Sequence, residues 1–172
     1  KKNFKADLTV RYKFGSCKYK AKIRQHGDLR DHISFVDGMP SRSIKVTLES
    51  GNVFNAVRFR LLIPETRNNI NEILGTVFLR ELNFIVPETF QVKTKINNVE
   101  SVMIFQEDIR KELLERNNKR EGPIFEGDES LLWSFEDYEL FELQNLALAR
   151  LTNPKWFIRG SSSEVITIAA FQ

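Results

Sequence analysis

Apolar and polar residues alternate from the start of the chain. Phe4, Ala6, Leu8, Val10 and Tyr12 interleave with Lys5, Asp7, Thr9, Arg11 and Lys13, the period-two pattern of a strand with one buried face. A turn at Gly15-Ser16 leads into Cys17, Tyr19, Ala21 and Ile23, which alternate with Lys18, Lys20, Lys22 and Arg24. The first 25 residues therefore read as an antiparallel hairpin. Residues 26–41, with two Gly, one Pro and three Asp, read as loop. Ile44, Val46 and Leu48 mark a third strand, and Gly51-Asn52 turns the chain into a fourth in which Val57, Phe59 and Leu61 share a face.

The period changes at Pro64. Ile70, Ile73, Leu74, Val77, Phe78 and Leu82 recur at helical spacing behind Thr66 as N-cap, which predicts an amphipathic helix over 66–83. After Pro87, residues 90–96 alternate again, Asn97-Asn98 suits a tight hairpin turn, and the run from Val99 to Phe105 is apolar on both faces except for Glu100 and Ser101, as in a central strand. A short helix is expected over 108–117, and Gly122-Pro123 ends it. Beyond an acidic loop, Tyr138 to Leu151 reads as a buried helix behind a Ser134/Asp137 capping box, and a last helix follows the Ser161/Glu164 box. That helix runs to Gln172 with no C-cap or polar tail, so the sequence is expected to continue beyond it.

The fold expected is α+β: residues 3–62 and 90–105 form one mostly antiparallel sheet, with the 66–83 helix packed on one face because the apolar phases of the strands need a shared cover. Residues 1–107 form a first lobe, and 108–172 begin a helical second one.

Composition supports a folded domain. At 172 residues, with 41% hydrophobic side chains and fourteen Phe, there is material for a substantial core. No stretch is long and apolar enough for a membrane helix, so a soluble chain without a membrane span is expected. Cys17 is the only cysteine, which excludes an internal disulfide or a cysteine zinc site and suits a reducing compartment such as the cytoplasm. The formal charge of +3 hides an asymmetry: residues 1–30 carry ten Lys and Arg against two Asp, and residues 121–142 carry eight acidic side chains and no basic ones. The basic end can attract nucleotide, nucleic acid or an acidic partner. Nucleic acid is not the expected partner, because Tyr19 falls on the apolar face and no exposed aromatics interleave with the lysines.

HExxH, paired cysteines, GxSxG, Walker and GxGxxG patterns are all absent. His26 and His32 lack a ligand spacing and read as surface residues. The order of elements is more informative: hairpin, glycine-containing loop, lysine-bearing strand, helix, hairpin, polar connection, helix. Protein kinases order their smaller lobe this way, with a strand lysine on the phosphates, a helix carboxylate orienting it, and backbone after the last strand meeting the adenine. Lys45 projects opposite Ile44 and Val46, and Glu72 and Glu81 are the helix carboxylates able to approach it.

The segment INNVESVMIFQED resembles the CotH-like kinases, atypical kinases related to spore-coat protein H. Asn97 and Glu107 match their strand, Asn-Gly turn, Gly-x-Tyr and Glu pattern, while Asn98, Ser101 and Met103 replace Gly, Gly and Tyr. PETRNNI resembles the family's helix entry, keeping Arg67-Asn68; IRQHGDLR keeps Gly27 and Arg30 of its Arg-Gly-x-x-Ser loop; MPSRSIKV offers Arg42 and Lys45 for its lysine pair. The resemblance spans roughly residues 20–130. It implies ATP with magnesium, phosphate transfer to protein hydroxyls, and catalytic aspartates later in the chain than the matched motifs, so that residues 1–172 alone carry no activity. The expected nucleotide site draws on Gly27, Arg30, Arg42, Lys45 and the connection Gln106-Glu107-Asp108. A pseudokinase or attachment module with the same fold is the alternative expectation.

Overall fold

A computed structural model describes residues 2–27, 33–36, 39–127 and 149–171. The chain divides into two units, Lys1–Lys119 and Arg120–Gln172.

Six strands of the first unit form one antiparallel sheet: β1 (Phe4–Tyr12), β2 (Gly15–Gln25), β5 (Ile44–Leu48), β6 (Arg58–Leu62), β7 (Thr89–Ile96) and β8 (Val99–Glu107). Their order is β1-β2-β5-β6-β8-β7. The single sheet expected from the alternation is therefore present. Its first turn falls at Lys13-Phe14 rather than at Gly15-Ser16, since Gly15 already pairs with Tyr12. The stretch expected to be loop holds a separate hairpin of β3 (Ile33–Val36) and β4 (Met39–Arg42). The β7–β8 turn is the one expected: Asn97 and Asn98 take φ 48° and 71°, the left-handed conformation that Asn tolerates.

Alternation gives the sheet an apolar and a polar face. On the apolar face Leu8 and Val10 of edge strand β1, Val46 and Leu48 of β5, and Val92 and Ile96 of the opposite edge strand β7 all pack into one cluster with Phe59, Leu61, Met103 and Phe105. Both edges can reach one core because the sheet is curled. A miniature turn between β5 and β6 plugs the interior: Val53 and Ala56 exchange backbone hydrogen bonds of 3.0 Å, and the Phe54 ring meets Tyr12, Phe90 and Phe105 at 4.9–5.6 Å between centroids.

This curl overturns the expected role of the helix. The chain forms a single 3-10 turn (Pro64–Arg67) and then α1 (Asn71–Glu81), interrupted by Asn68 and Asn69 at φ 47° and 62°. Thr66 does not cap α1; its Oγ1 donates to the carbonyl of Ile63. Thr76 is the buried residue of α1, whereas Leu74, Val77, Phe78 and Leu82 are all exposed. A sheet that closes over its own apolar face does not need a helix to cover it. α1 touches the sheet at β7 without burying its apolar stripe.

α2 is shorter than expected, Lys111–Arg116, because Arg110 is still extended at φ −142°. It belongs to the first unit, where Leu113 is buried, although residues 108–117 were expected to open the second lobe.

In the second unit β9 (Phe125–Gly127) pairs with β10 (Ala149–Leu151), so the last residues of the expected 138–151 helix are strand; the rest of that helix lies outside the described residues. Asn153 ties the unit together, accepting from the amide of Ile124 and donating to the carbonyl of Gly122, both at 2.9 Å. α3 (Pro154–Phe157) and α4 (Ser161–Phe171) follow, and the Phe171 ring lies edge-on to Phe125. Among the described residues no helix is long and apolar enough to cross a membrane.

Candidate functional site

The polar face of the sheet builds a cluster around Asp108. Register sets Lys45 on β5 directly beside Arg60 on β6, and Arg60 beside Gln106 on β8. All three point away from the core because Val46, Phe59 and Phe105 occupy the intervening positions. Asp108, just past β8, is fixed by its amide, which donates to the carbonyl of Arg58 at 2.9 Å. Its carboxylate then meets Lys45 Nζ at 2.6 Å, Arg60 Nη2 at 2.9 Å and Arg110 Nε at 3.3 Å.

The Asp108 side chain is 3% exposed and that of Lys45 12%. Burial pushes the Asp108 carboxyl up, but Lys45, with Arg60 and Arg110, outweighs burial and holds it below its usual value. Burial lowers Lys45 in turn, and Asp108 offsets only part of that loss. Lys45 and Arg60 outnumber the carboxylate between them even before Arg110 is counted. The cluster thus holds partly dehydrated positive charge, suited to an incoming anion.

A second tier links it to α1. Arg60 Nη1 donates to Gln106 Oε1 at 3.3 Å, Gln106 Nε2 donates to Glu72 Oε2 at 3.1 Å, and Glu72 Oε1 lies 3.4 Å from Arg67 Nη1. Glu72 thus reaches Gln106 and Arg67, whereas Lys45, which it was expected to approach, is paired with Asp108. Glu81 is exposed at the end of α1 and takes no part.

The remaining expected site residues separate. Arg42 is exposed and donates to Gln25 Oε1 at 2.8 Å, outside the cluster. Gly27 adopts φ 84°, a backbone position that favours glycine. Arg30 lies outside the described residues. Glu107 faces the opposite side of the sheet, 1% exposed, where Arg116 Nη2 donates to its Oε2 at 2.8 Å and the Glu88 amide to the same oxygen at 3.0 Å. Arg116 also reaches Glu88 at 2.8 Å, and Arg80 reaches Glu88 at 3.3 Å. Of the connection Gln106-Glu107-Asp108 expected to meet adenine, two amides are already committed, that of Glu107 to the Glu88 carbonyl and that of Asp108 to the Arg58 carbonyl, each at 2.9 Å.

Arg60, Arg110 and Arg116 were not singled out from the sequence. The signal for Arg60 was present, since it alternates with Phe59 and Leu61, but its neighbour across the sheet emerges only once β5–β6 register is known.

Among the described residues no group of three or more His, Cys, Asp or Glu is placed to hold a metal, so they do not by themselves fit magnesium; Asp128 and Asp137 lie outside them. The Lys45–Arg60 pair does fit a phosphate group by charge. A shallow hollow of about 550 Å³ between the 51–57 segment and α2, lined by Asn52, Asn55, Lys111 and Arg116 among others, includes none of the residues around Asp108. Comparison with protein-family models and with curated proteins finds no match for this chain.

Proposed function

We propose that the chain is the ATP-binding lobe of a CotH-like kinase that transfers phosphate to protein hydroxyls. The observation that supports this reading most is the convergence of Lys45 and Arg60 on buried Asp108 at the end of β8, with Glu72 of α1 joined to the same strand through Gln106. Strand cations near a helix carboxylate, ahead of a polar connection, are the parts a kinase uses to hold phosphates. In this reading Lys45 and Arg60 bind phosphate oxygens and Asp108 fixes both side chains before the ligand arrives. Magnesium bound with ATP would neutralise phosphate charge.

Calorimetric titration with magnesium-ATP tests the assignment. Lys45→Ala and Arg60→Ala should each weaken binding roughly tenfold, the loss of one charge-assisted hydrogen bond, while Arg42→Ala should leave it unchanged. Undetectable binding, or equal binding by all three variants and the parent, would sink the proposal.

A binding module without transfer chemistry is the second reading. It is favoured by the 2.6 Å pairing of Lys45 with Asp108 and by the committed amides of Glu107 and Asp108. Transfer of labelled phosphate to a protein acceptor by the protein that contains this lobe separates the two.

A further inference from the structure

The polar face extends well beyond the residues around Asp108. Outward positions of β2 are Lys18, Lys20, Lys22 and Arg24, all exposed. Register places Lys5 directly opposite Lys22, Arg24 opposite Lys45, and Lys45 opposite Arg60. Like charges facing each other across a strand pair are destabilising. Within β1 and β2 the one carboxylate on this face is Asp7, which pairs with Lys20 and raises its pKa.

Lysines commonly guard sheet edges against pairing with other chains. That accounts for Lys5 on edge strand β1 and extends to Lys18, whose stretch of β2 pairs with β1 alone, but not to Lys22, which has Lys5 on one side and Thr47 on the other. A row of cations kept together at a cost in stability points to an anionic ligand. Alternate residues along a strand are about 6.8 Å apart and strands about 4.8 Å apart, so the grid is wider than a single phosphate group. Outward positions on β1 and β2 carry no aromatic side chain, so a single-stranded nucleic acid would find no base-stacking platform there. An extended peptide has what the surface asks for: carboxylates at the same two-residue spacing, and a backbone able to pair with the β1 edge, which has no strand partner among the described residues.

We propose that the outer face of the β1–β2 hairpin is a docking surface for an acidic polypeptide segment, recognised through Lys18, Lys22 and Arg24. This surface does not depend on the nucleotide assignment.

The test is fluorescence anisotropy of a labelled twelve-residue glutamate-rich peptide with the full chain at low and physiological salt. The peptide should bind and weaken with salt. Lys18→Glu/Lys22→Glu should lower affinity at least tenfold and Lys18→Ser/Lys22→Ser less. The same charge change at Lys93→Glu/Lys119→Glu should alter affinity less than twofold. Absence of binding at low salt, equal losses in the two Glu variants, or tighter binding of oligouridylate than of the peptide would overturn the proposal. Magnesium-ATP titration of the Lys18→Glu/Lys22→Glu variant keeps the two assignments apart, because only the peptide affinity should fall.

Discussion

Glu107 and Asp108 are adjacent in the chain and almost wholly withdrawn from water, yet they face opposite sides of the sheet and meet opposite charge balances. Glu107 shares Arg116 with Glu88, and Arg80 completes a set of two carboxylates and two guanidiniums. Asp108 faces Lys45, Arg60 and Arg110, and Lys45 with Arg60 already outnumbers its single charge. The first arrangement neutralises itself and fastens α2 to the end of the sheet. In the second, Asp108 balances only one of the two charges that Lys45 and Arg60 bring to it. Burial is nearly equal at the two carboxylates, so charge balance is what separates a clasp from a receptive site.

The largest effect should come from removing the carboxylate on the cationic side. Asp108→Ala leaves Lys45 buried without a counterion and should cost about 3–5 kcal/mol in urea unfolding; a loss below about 1 kcal/mol would erase the contrast. Glu107→Gln keeps a hydrogen-bond acceptor for Arg116, which retains Glu88, so about 2 kcal/mol is expected. ATP affinity should be unchanged in that variant, and a fall there would join the two carboxylates into one site.

Acid should act on the same contrast. The folded-state pKa of Asp108 lies below its unfolded value, so its contribution is complete above pH about 4 and is lost as the pH falls through the folded value. The stability gap between the parent and Asp108→Asn should therefore shrink from pH 5 to pH 2.5, read by urea melts at each pH. A constant gap would mean that the cations do not hold the carboxyl down. The smallest effect is expected far from both carboxylates: Asn98→Gly, at φ 71° in the β7–β8 turn, should raise stability by about 0.5 kcal/mol, and a larger gain would mark that hairpin as strained.

Strand existence was legible because alternation is a local signal: Lys18 to Arg24 and residues 90–96 gave their strands directly. Helix bounds were less so. The stripe from Ile70 to Leu82 was genuine, but Asn68-Asn69 cut its start and the curl of the sheet removed its packing partner. Lys45 and Glu72 could be named from the order of elements. Arg60 could not, because its role follows from lying beside Lys45 in register, a relation between strands rather than a property of either. Glu107 and Asp108 were named as part of the polar connection; their ion pairs depend on which face each residue takes where β8 ends.

The place of β8 between β6 and β7 has a kinetic consequence. The β1–β2 and β7–β8 hairpins join residues close in sequence, whereas Arg60 and Gln106, neighbours across β6 and β8, are 46 residues apart. Closing so long a loop carries an entropic cost that local contacts cannot offset in advance. The two hairpins should therefore gain hydrogen-exchange protection before β6 does, and the Asp108 cations should assemble last, in the step that completes the sheet.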